Sequence, residues 1–528
     1  MKAKLLVIAL SLLTFNGFAQ RGKNSNYTAS GTVVVNAYTT LTANAASNAT
    51  SITVTSNTLT SGALSTALGA GDLILIIQMQ GATMDINTTP TVSWGGSYTL
   101  ANGAMADLGN MNNYRDEWGQ VTAYNNAGKY EYAQVSSISG GTIINLQCGL
   151  KNSYDVSGHT QIVRVPRFQN LTLDPNASIV PAAWNGNTGG VAALEINGNL
   201  VFGNNSKISA TALGFRGGAL DASGFGPAGS ATDVGKPAYS VAGEGAEKGE
   251  GIGGYATAEY TTLFSRYGNG SPANGGGGGN YRNAGGGGGS NVGSGTYTGY
   301  GVPDPAYAAF WNLELPGMSA SPSAGGGRGG YSFAQSNQNE ATIGPNQTAW
   351  SGDYRRTEGG FGGHPLVYDP SRLFMGGGGG AGEQDGTQGG AGGKGGGIVF
   401  IQHYGTMSGT GTIEARGEKG QNSNPNNQAP AITNISTQLK GNDGAGGGGA
   451  GGSVFISNVN PIPASVTINV SGGRGGHDTL AFFFSNPTNV PECQGPGGGG
   501  SGGFVNFSSG TPALVLTGGA NGVVKTAA

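Results

Sequence analysis

Residues 373–402 read LFMGGGGGAGEQDGTQGGAGGKGGGIVFIQ, a run dominated by glycine that passes without a break into an apolar, β-branched strand signal. Three readings are open for it: a loose tether, a phosphate cradle, or part of a folded core. Glycine gives up more conformational freedom on folding than any other residue, and fixing one backbone residue costs roughly 1–2 kcal/mol. A glycine tract therefore stays disordered unless its backbone groups find partners. Tethers sit between complete domains and are rich in serine. Here the tracts recur inside a repeated unit, abut strands, and are punctuated by Ala, Gln, Asp and Lys. A phosphate loop needs Ser or Thr after its lysine and then a helix, whereas Lys394 is followed by Gly395 and a strand.

The remaining reading is a left-handed extended helix with three residues per turn and no internal hydrogen bonds. Every N–H and C=O of such a helix points outward and must be satisfied by similar tracts packed alongside, helped by Cα–H···O contacts that the missing side chains permit. On this reading Ala391 and Lys394 lie near the edge of a glycine lattice. Tethers and ordinary glycine-rich turns remain the alternatives.

The repeat supports a layered body. A glycine run, an alternating strand, a short connection and a second strand recur from Gly186, Gly392, Gly446 and Gly497, each time with an apolar strand directly after glycines. No copy is large enough to fold alone. Before this body, residues 24–166 carry β-branched and aromatic runs separated by Gly, Asn and Ser turns, which predicts six to eight short antiparallel strands. Between Gly81 and Trp118 the pattern lapses into a polar excursion with room for one helical turn, and its Asp116 and Glu117 read as solvated loop charges. The expected fold is all-β: a small antiparallel N-terminal β-domain, then a glycine-rich β-solenoid or β-layered body over 167–528 with packed polyglycine-II helices. An aromatic-rich insertion occupies about 222–375.

Composition narrows the function. Charged residues are 10% of the chain, against roughly 25% in ordinary globular domains. The net charge of −3 leaves no basic face for nucleic acid. Hydrophobic residues at 37% suffice for a core. Residues 1–19 have the charged start, apolar run and small-residue end of a secretory signal peptide, so the mature chain is expected to begin near Gln20. No later window is apolar enough to span a bilayer. Cys148 and Cys493 are the two partners available for a single long-range disulfide, and two buried thiols are the equal alternative.

His159, His364, His403 and His477 show no metal-ligand spacing, and no cofactor or metal site is expected. The calcium nonapeptide is approached near Gly472, but Asp478 falls one residue late and no tandem copies follow. Asp353, Asp369, Glu383 and Asp385 are the carboxylates an extracellular polysaccharide-degrading solenoid would use, while strand-borne Glu195 and Glu414 are expected to point to solvent.

The densest signal is aromatic: ten of the 20 tyrosines lie between residues 250 and 370. Tyr255, Tyr260, Tyr267, Tyr297, Tyr300, Tyr307, Trp311, Trp350 and Tyr354 are the ligand-contact candidates, because aromatics with a polar edge bury large area at low entropic cost. The structural alternative is that tyrosines here, including Tyr281, Tyr331 and Tyr368, shield glycine backbone that has no side chains of its own.

The tracts resemble polyglycine regions of phage tail-fibre adhesins and the glycine-rich extracellular domain of the anaplastic lymphoma kinase receptor family. RVPRFQNLTL, WNGNTGGVAALEINGNLVF and ISATALGFRGG are similar to the N-terminal region of large secreted surface proteins of gliding Bacteroidota. That resemblance implies export through outer-membrane machinery, display on the cell surface, and a non-catalytic adhesive or motility role toward a surface polysaccharide. It also implies an O-glycosylation acceptor at Thr479 in HDTL. Such proteins end in a sorting domain, whereas this sequence stops at LVLTGGANGVVKTAA, which implies either a leading segment or a different export route. A rigid assembly module of a surface filament and a polysaccharide-degrading enzyme are the competing functions.

Overall fold

The computed structural model describes residues 21–86, 98–99, 105–106, 118–220, 238, 245–254, 266–280, 283–292, 326–327, 329, 359–384, 389–423, 443–480, 495–522 and 524–526. The signal-peptide segment, Asp116, Glu117 and the expected helical turn lie outside them. Every regular element among the described residues is a strand.

The N-terminal region forms a six-stranded sheet in the order Ala37–Thr40, Thr160–Val165, Leu73–Gln78, Tyr130–Ser139, Ile143–Leu146, Ser51–Thr53, with every neighbour antiparallel. Its central strand LILIIQ is buried along its whole length, so both faces are covered and the sequence shows a continuous apolar run instead of alternation. Tyr27–Ala29 and Thr32–Val33 do not join this sheet. They pair in parallel with Leu171–Leu173 and Ser178–Ile179 of the body, so hydrogen bonds cross the boundary near residue 166.

The body contains two parallel sheets. The inner one runs Arg167–Phe168, Val191–Ile196, Ile398–His403, Ser453–Asn458, Phe504–Phe507. The outer one runs Tyr27–Ala29, Leu171–Leu173, Leu200–Ser209, Met407–Glu414, Val466–Asn469, Ala513–Val515. Each repeat contributes one strand to each sheet, so successive copies stack in register. Val399, Ile401, Val454 and Ile456 face the outer sheet in one core, whereas Val191, Ala193, Ile398 and Phe400 face the N-terminal sheet in another. A strand buried on both faces reads as a near-continuous apolar run, which is why IVFIQ stands out after its glycines. Tyr130 and Tyr132 approach the Phe400 ring edge-on, and Phe455 stacks on it at 4.8 Å.

Glu195 and Glu414 are corrected by this burial, since both are withdrawn from solvent. Glu195 belongs to the doubly covered inner strand and meets Arg167 of the neighbouring strand, whose guanidinium also donates to the Gly71 carbonyl. Glu414 accepts from Ser209 Oγ at 2.9 Å and lies 3.3 Å from Lys207 Nζ.

Beyond the sheets the glycine tracts form a block with a three-residue period. In 376–383, the N–H groups of Gly376, Gly379 and Gly382 donate to Gly396, Gly393 and Gly390. Those of Gly377, Gly380 and Glu383 donate to Ser290, Gly287 and Ala284, and those of Gly378 and Ala381 to Glu250 and Glu247, all at 2.8–2.9 Å. Carbonyls of the same tract accept from Ala450, Gly447 and Gly444, from Gly276 and Gly279, and from Gly218. One tract thus has six hydrogen-bonded neighbours. The tracts 283–290 and 444–452 are placed alike, and the three close a triangle in which each donates to the next.

Glycine is required here for space. None of Gly376 to Gly380 has a positive φ. A Cβ on Gly377, Gly378, Gly379 or Gly380 would lie 1.8–2.1 Å from a carbonyl oxygen of another segment. Lys394 is exposed and Ala391 half-buried, at the edge of the block.

Two outcomes follow. Gly378→Val or Gly380→Val should cost about 1–3 kcal/mol or more, the range for overfilling a close-packed site, while Lys394→Ala leaves the thermal midpoint unchanged by calorimetry. Burial holds the His403 imidazole below its usual pKa, and its Nε2–H donates to the Gly198 carbonyl at 2.9 Å. The unfolded chain therefore binds the extra proton first, so stability should fall as pH drops through about 6.5. His403→Gln should make the pH dependence of the denaturation midpoint shallower in that window.

Candidate functional site: the far end of the glycine block

Which connections emerge where follows from the register of the tracts. Each rung arrives through glycines, forms an inner strand, turns, returns as an outer strand and leaves through glycines again. Gly397, Gly452 and Gly503 mark the junction with the inner sheet, immediately before Ile398, Ser453 and Phe504. The opposite end is marked by Glu383, which donates to Ala284 and accepts from Gly444, and by the Gly382–Gly390 bond beside it.

Six connections leave and re-enter at that far end, between Leu220 and Gly245, Asn280 and Asn283, Gly329 and Gly359, Gln384 and Gly389, Ser423 and Asp443, and Leu480 and Gly495. The bonds that fix these levels are Ala246 to Gly279, Gly279 to Ala381, Gly360 to Gly285, Gly329 to Gly360, Gln421 to Ala391, and Ala445 to Gly495. Two other connections, after Gly254 and after Val292, start near the junction, where Ile252 meets Gly81 and Val292 bridges Leu366. The stretch read as an insertion thus supplies glycine tracts 246–254, 269–280, 283–290 and 359–363 to the block itself.

Polar side chains close the far end. Glu383 is buried and accepts the Asn283 N–H at 2.6 Å. Ser423 Oγ donates to buried Asp478 at 2.8 Å. Glu247 pairs with Arg266 at 2.6 Å, yet its burial outweighs that cation and holds its pKa above the usual carboxylate value. Tyr267 follows Arg266, half-buried, and bridges Glu247 through the backbone. It is the one aromatic ligand-contact candidate within the described residues. Tyr255, Tyr260, Tyr297, Tyr300, Tyr307, Trp311, Trp350 and Tyr354 lie outside them, as do Tyr281, Tyr331, Asp353, Asp385 and Cys493. Thr479 sits in the strand Asp478–Leu480, which pairs in parallel with Val524–Thr526. Cys148 is exposed and unbridged.

The register of otherwise identical glycines is pinned at the junction. Glu250, fully buried, accepts from Gln80 Nε2, Trp184 Nε1 and Arg216 Nε, each at 2.9 Å, and so ties three chain segments to one carboxylate. Asn274 donates to the Ser290 and Met375 carbonyls and accepts from the Ile252 N–H, standing in for a backbone unit. Tyr368 belongs to this frame: its hydroxyl meets Asn291 and Ser453, its ring stacks on Phe504 at 4.0 Å, and burial raises its pKa. Asp369 is exposed and caps its own turn through Ser371 and Arg372, which holds its carboxyl below the usual value. No group of three or more His, Cys, Asp or Glu side chains among the described residues is arranged to hold a metal ion.

No known protein family and no curated protein matches the chain. Among solved structures it is similar to the Gp54 tailspike of Acinetobacter baumannii bacteriophage AP22, described in complex with capsular saccharide, with 16% identity and a TM-score of 0.14. It is also similar to the tailspike gp49 of Pseudomonas phage LKA1, with 14% identity and a TM-score of 0.12. Each match covers 35% of this chain, and about a quarter of each tailspike, 27% and 26%. No helix among the described residues is long and apolar enough to cross a membrane.

Glu250→Ala removes the buried carboxylate that Gln80, Trp184 and Arg216 share and should cost about 1–3 kcal/mol, the range for leaving buried donors unsatisfied. Denaturant titration reads this loss, and Glu250→Gln should recover part of it by keeping an acceptor for Trp184.

Proposed function

We propose that the chain is a secreted, non-catalytic adhesin or adhesin segment, displayed on the outer cell surface for attachment or gliding-type motility. Its body is a β-solenoid whose glycine tracts are polyglycine-II helices, and its partner is a surface polysaccharide. The observation that carries this reading is the gathering of six connections at one end of the glycine block. Binding residues commonly sit on connections held by a rigid scaffold, and a block bonded in six directions is such a scaffold. The Gly329–Gly359 connection carries Trp350 and Tyr354, the residue types that recognition surfaces favour.

Removing all of residues 250–370 would also remove four tracts of the block, so the test must be narrower. Replacing residues 331–357 by a short Gly-Ser link should weaken binding to immobilised bacterial polysaccharides at least tenfold while circular dichroism stays unchanged. Trp350→Ala with Tyr354→Ala should reproduce part of that loss. Unchanged binding would remove this connection from the site. Release of reducing ends from any polysaccharide of the panel would overturn the non-catalytic reading.

A further inference from the structure

The tracts that leave the outer strands form a layer of their own on one flank of the glycine block. The N–H groups of Gly417, Gly420 and Ser423 donate to the carbonyls of Ser471, Arg474 and His477, and those of Gly472 and Gly475 to Thr517 and Ala520. These bonds set Arg416, Lys419 and Asn422 beside Ser471, Arg474 and His477. A Cβ on Gly417 or Gly420 would lie 1.9–2.0 Å from a carbonyl oxygen of tract 444–452, so side chains are confined to the outward positions. Members of each set are three residues apart, an advance of about 9 Å along an extended helix of this kind.

The outward positions gather cations. Arg416, Lys419 and Lys394 are exposed, and the Lys394 carbonyl joins the layer by accepting the Glu418 N–H. Arg474 is half-buried, and its Nη1 is shielded from water without a hydrogen-bond partner. Burial lowers the pKa of that guanidinium. Among the described residues, Lys394, Lys419 and Arg474 have no ion pair. Arg416 lies 3.8 Å from Glu414, but that carboxylate is buried and also 3.3 Å from Lys207. The exposed carboxylate described in these tracts, Glu418, accepts the Lys394 N–H at 3.1 Å. Four cations against one exposed carboxylate is the reverse of the chain as a whole, whose net charge is −3. Charge kept for solubility needs neither one sign nor alignment, and it stays fully hydrated, unlike Arg474.

We propose that this flank binds an acidic polysaccharide, laid along tract 415–423 with its carboxylates on Arg416, Lys419 and Arg474. Arginine offers a carboxylate two parallel N–H donors, and lysine acts as a point charge. The step from Arg416 to Lys419 is the length of about two sugar units, so a polymer acidic at alternate sugars meets one cation per repeat. Thr211 Oγ1, which accepts the Arg416 N–H at 3.1 Å, and Asn422 add polar groups for sugar hydroxyls. Nucleic-acid binding commonly engages roughly 6–10 phosphates, more than this row can meet. Tracts fixed by backbone bonds hold the cations at set spacing, which lowers the ordering cost of binding. The inference rests on the polysaccharide reading for the kind of polymer, and places it on the flank instead of at the far-end connections.

Calorimetric titration of the full chain with hyaluronate, whose carboxylates fall on alternate sugars, and with its neutral methyl ester tests this. The acid should bind and the ester should not, and binding should weaken as salt rises from about 50 to 200 mM. Arg416→Gln with Lys419→Gln should weaken binding at least about tenfold with circular dichroism unchanged, since both side chains are exposed. Lys151→Gln, which removes an exposed cation of the N-terminal region, should change nothing. Replacing residues 331–357 should leave hyaluronate binding intact. Loss of binding in that replacement, with the Arg416 and Lys419 variant unaffected, would move the acidic polymer to the far end and overturn this inference while sparing the adhesive reading. No binding of either hyaluronate or polygalacturonate, equal binding of the ester, or tighter binding of a random DNA duplex at the same salt would overturn it as well.

Discussion

The structure depends on backbone hydrogen bonds that leave each glycine tract with a period of three. A chain of glycines has no side chain to bury, and an isolated extended helix offers its N–H and C=O groups only to water. Bonding every third residue to the same neighbour changes this, because six neighbours can each satisfy one-sixth of the tract's backbone groups. The backbone approach this needs leaves no room for a Cβ at Gly377 to Gly380, so the sequence constraint is steric. Composition follows from packing: a block that stabilises itself through backbone needs few charges and few cross-links, and the chain has few of either.

A block of near-identical tracts has a difficulty that a side-chain core does not: slipping one tract by three residues restores the same bonds. The structure places distinct side chains at the junction with the sheets, where slippage is costly. Glu250, Asn274, Asn291 and Tyr368 each bond two or more segments there. The strands then extend the register, since Ile398, Ser453 and Phe504 follow their glycines directly and are paired across the inner sheet. Side chains therefore set the alignment, and backbone bonds fill in between.

This division explains what the sequence makes legible. The strands are readable because β-branched runs follow glycine at each repeat, and the three-residue period is readable because an unbonded extended glycine helix has one physical remedy. Lys394 is exposed at the edge, where its charge stays in water, which a six-neighbour interior would not allow. The burial of Glu195 was not readable, because the Arg167 opposite it is brought there by a sheet pairing across 28 residues. Nor was the gathering of connections at one end, since glycines carry no mark of direction or register. Segment 246–254, with only scattered glycines, does not announce itself as a member of the block.

The glycine tracts are folded core, hydrogen-bonded as continuously as the sheets. Native-state hydrogen exchange reads this at each amide. The N–H groups of Gly376–Gly382 and Gly444–Gly452 should be protected as strongly as those of Ile398–His403, and should lose protection together with them as denaturant is raised. Exchange of the tract amides at the rate of an unstructured peptide, while the strand amides stay protected, would contradict it and return the tracts to the role of tethers.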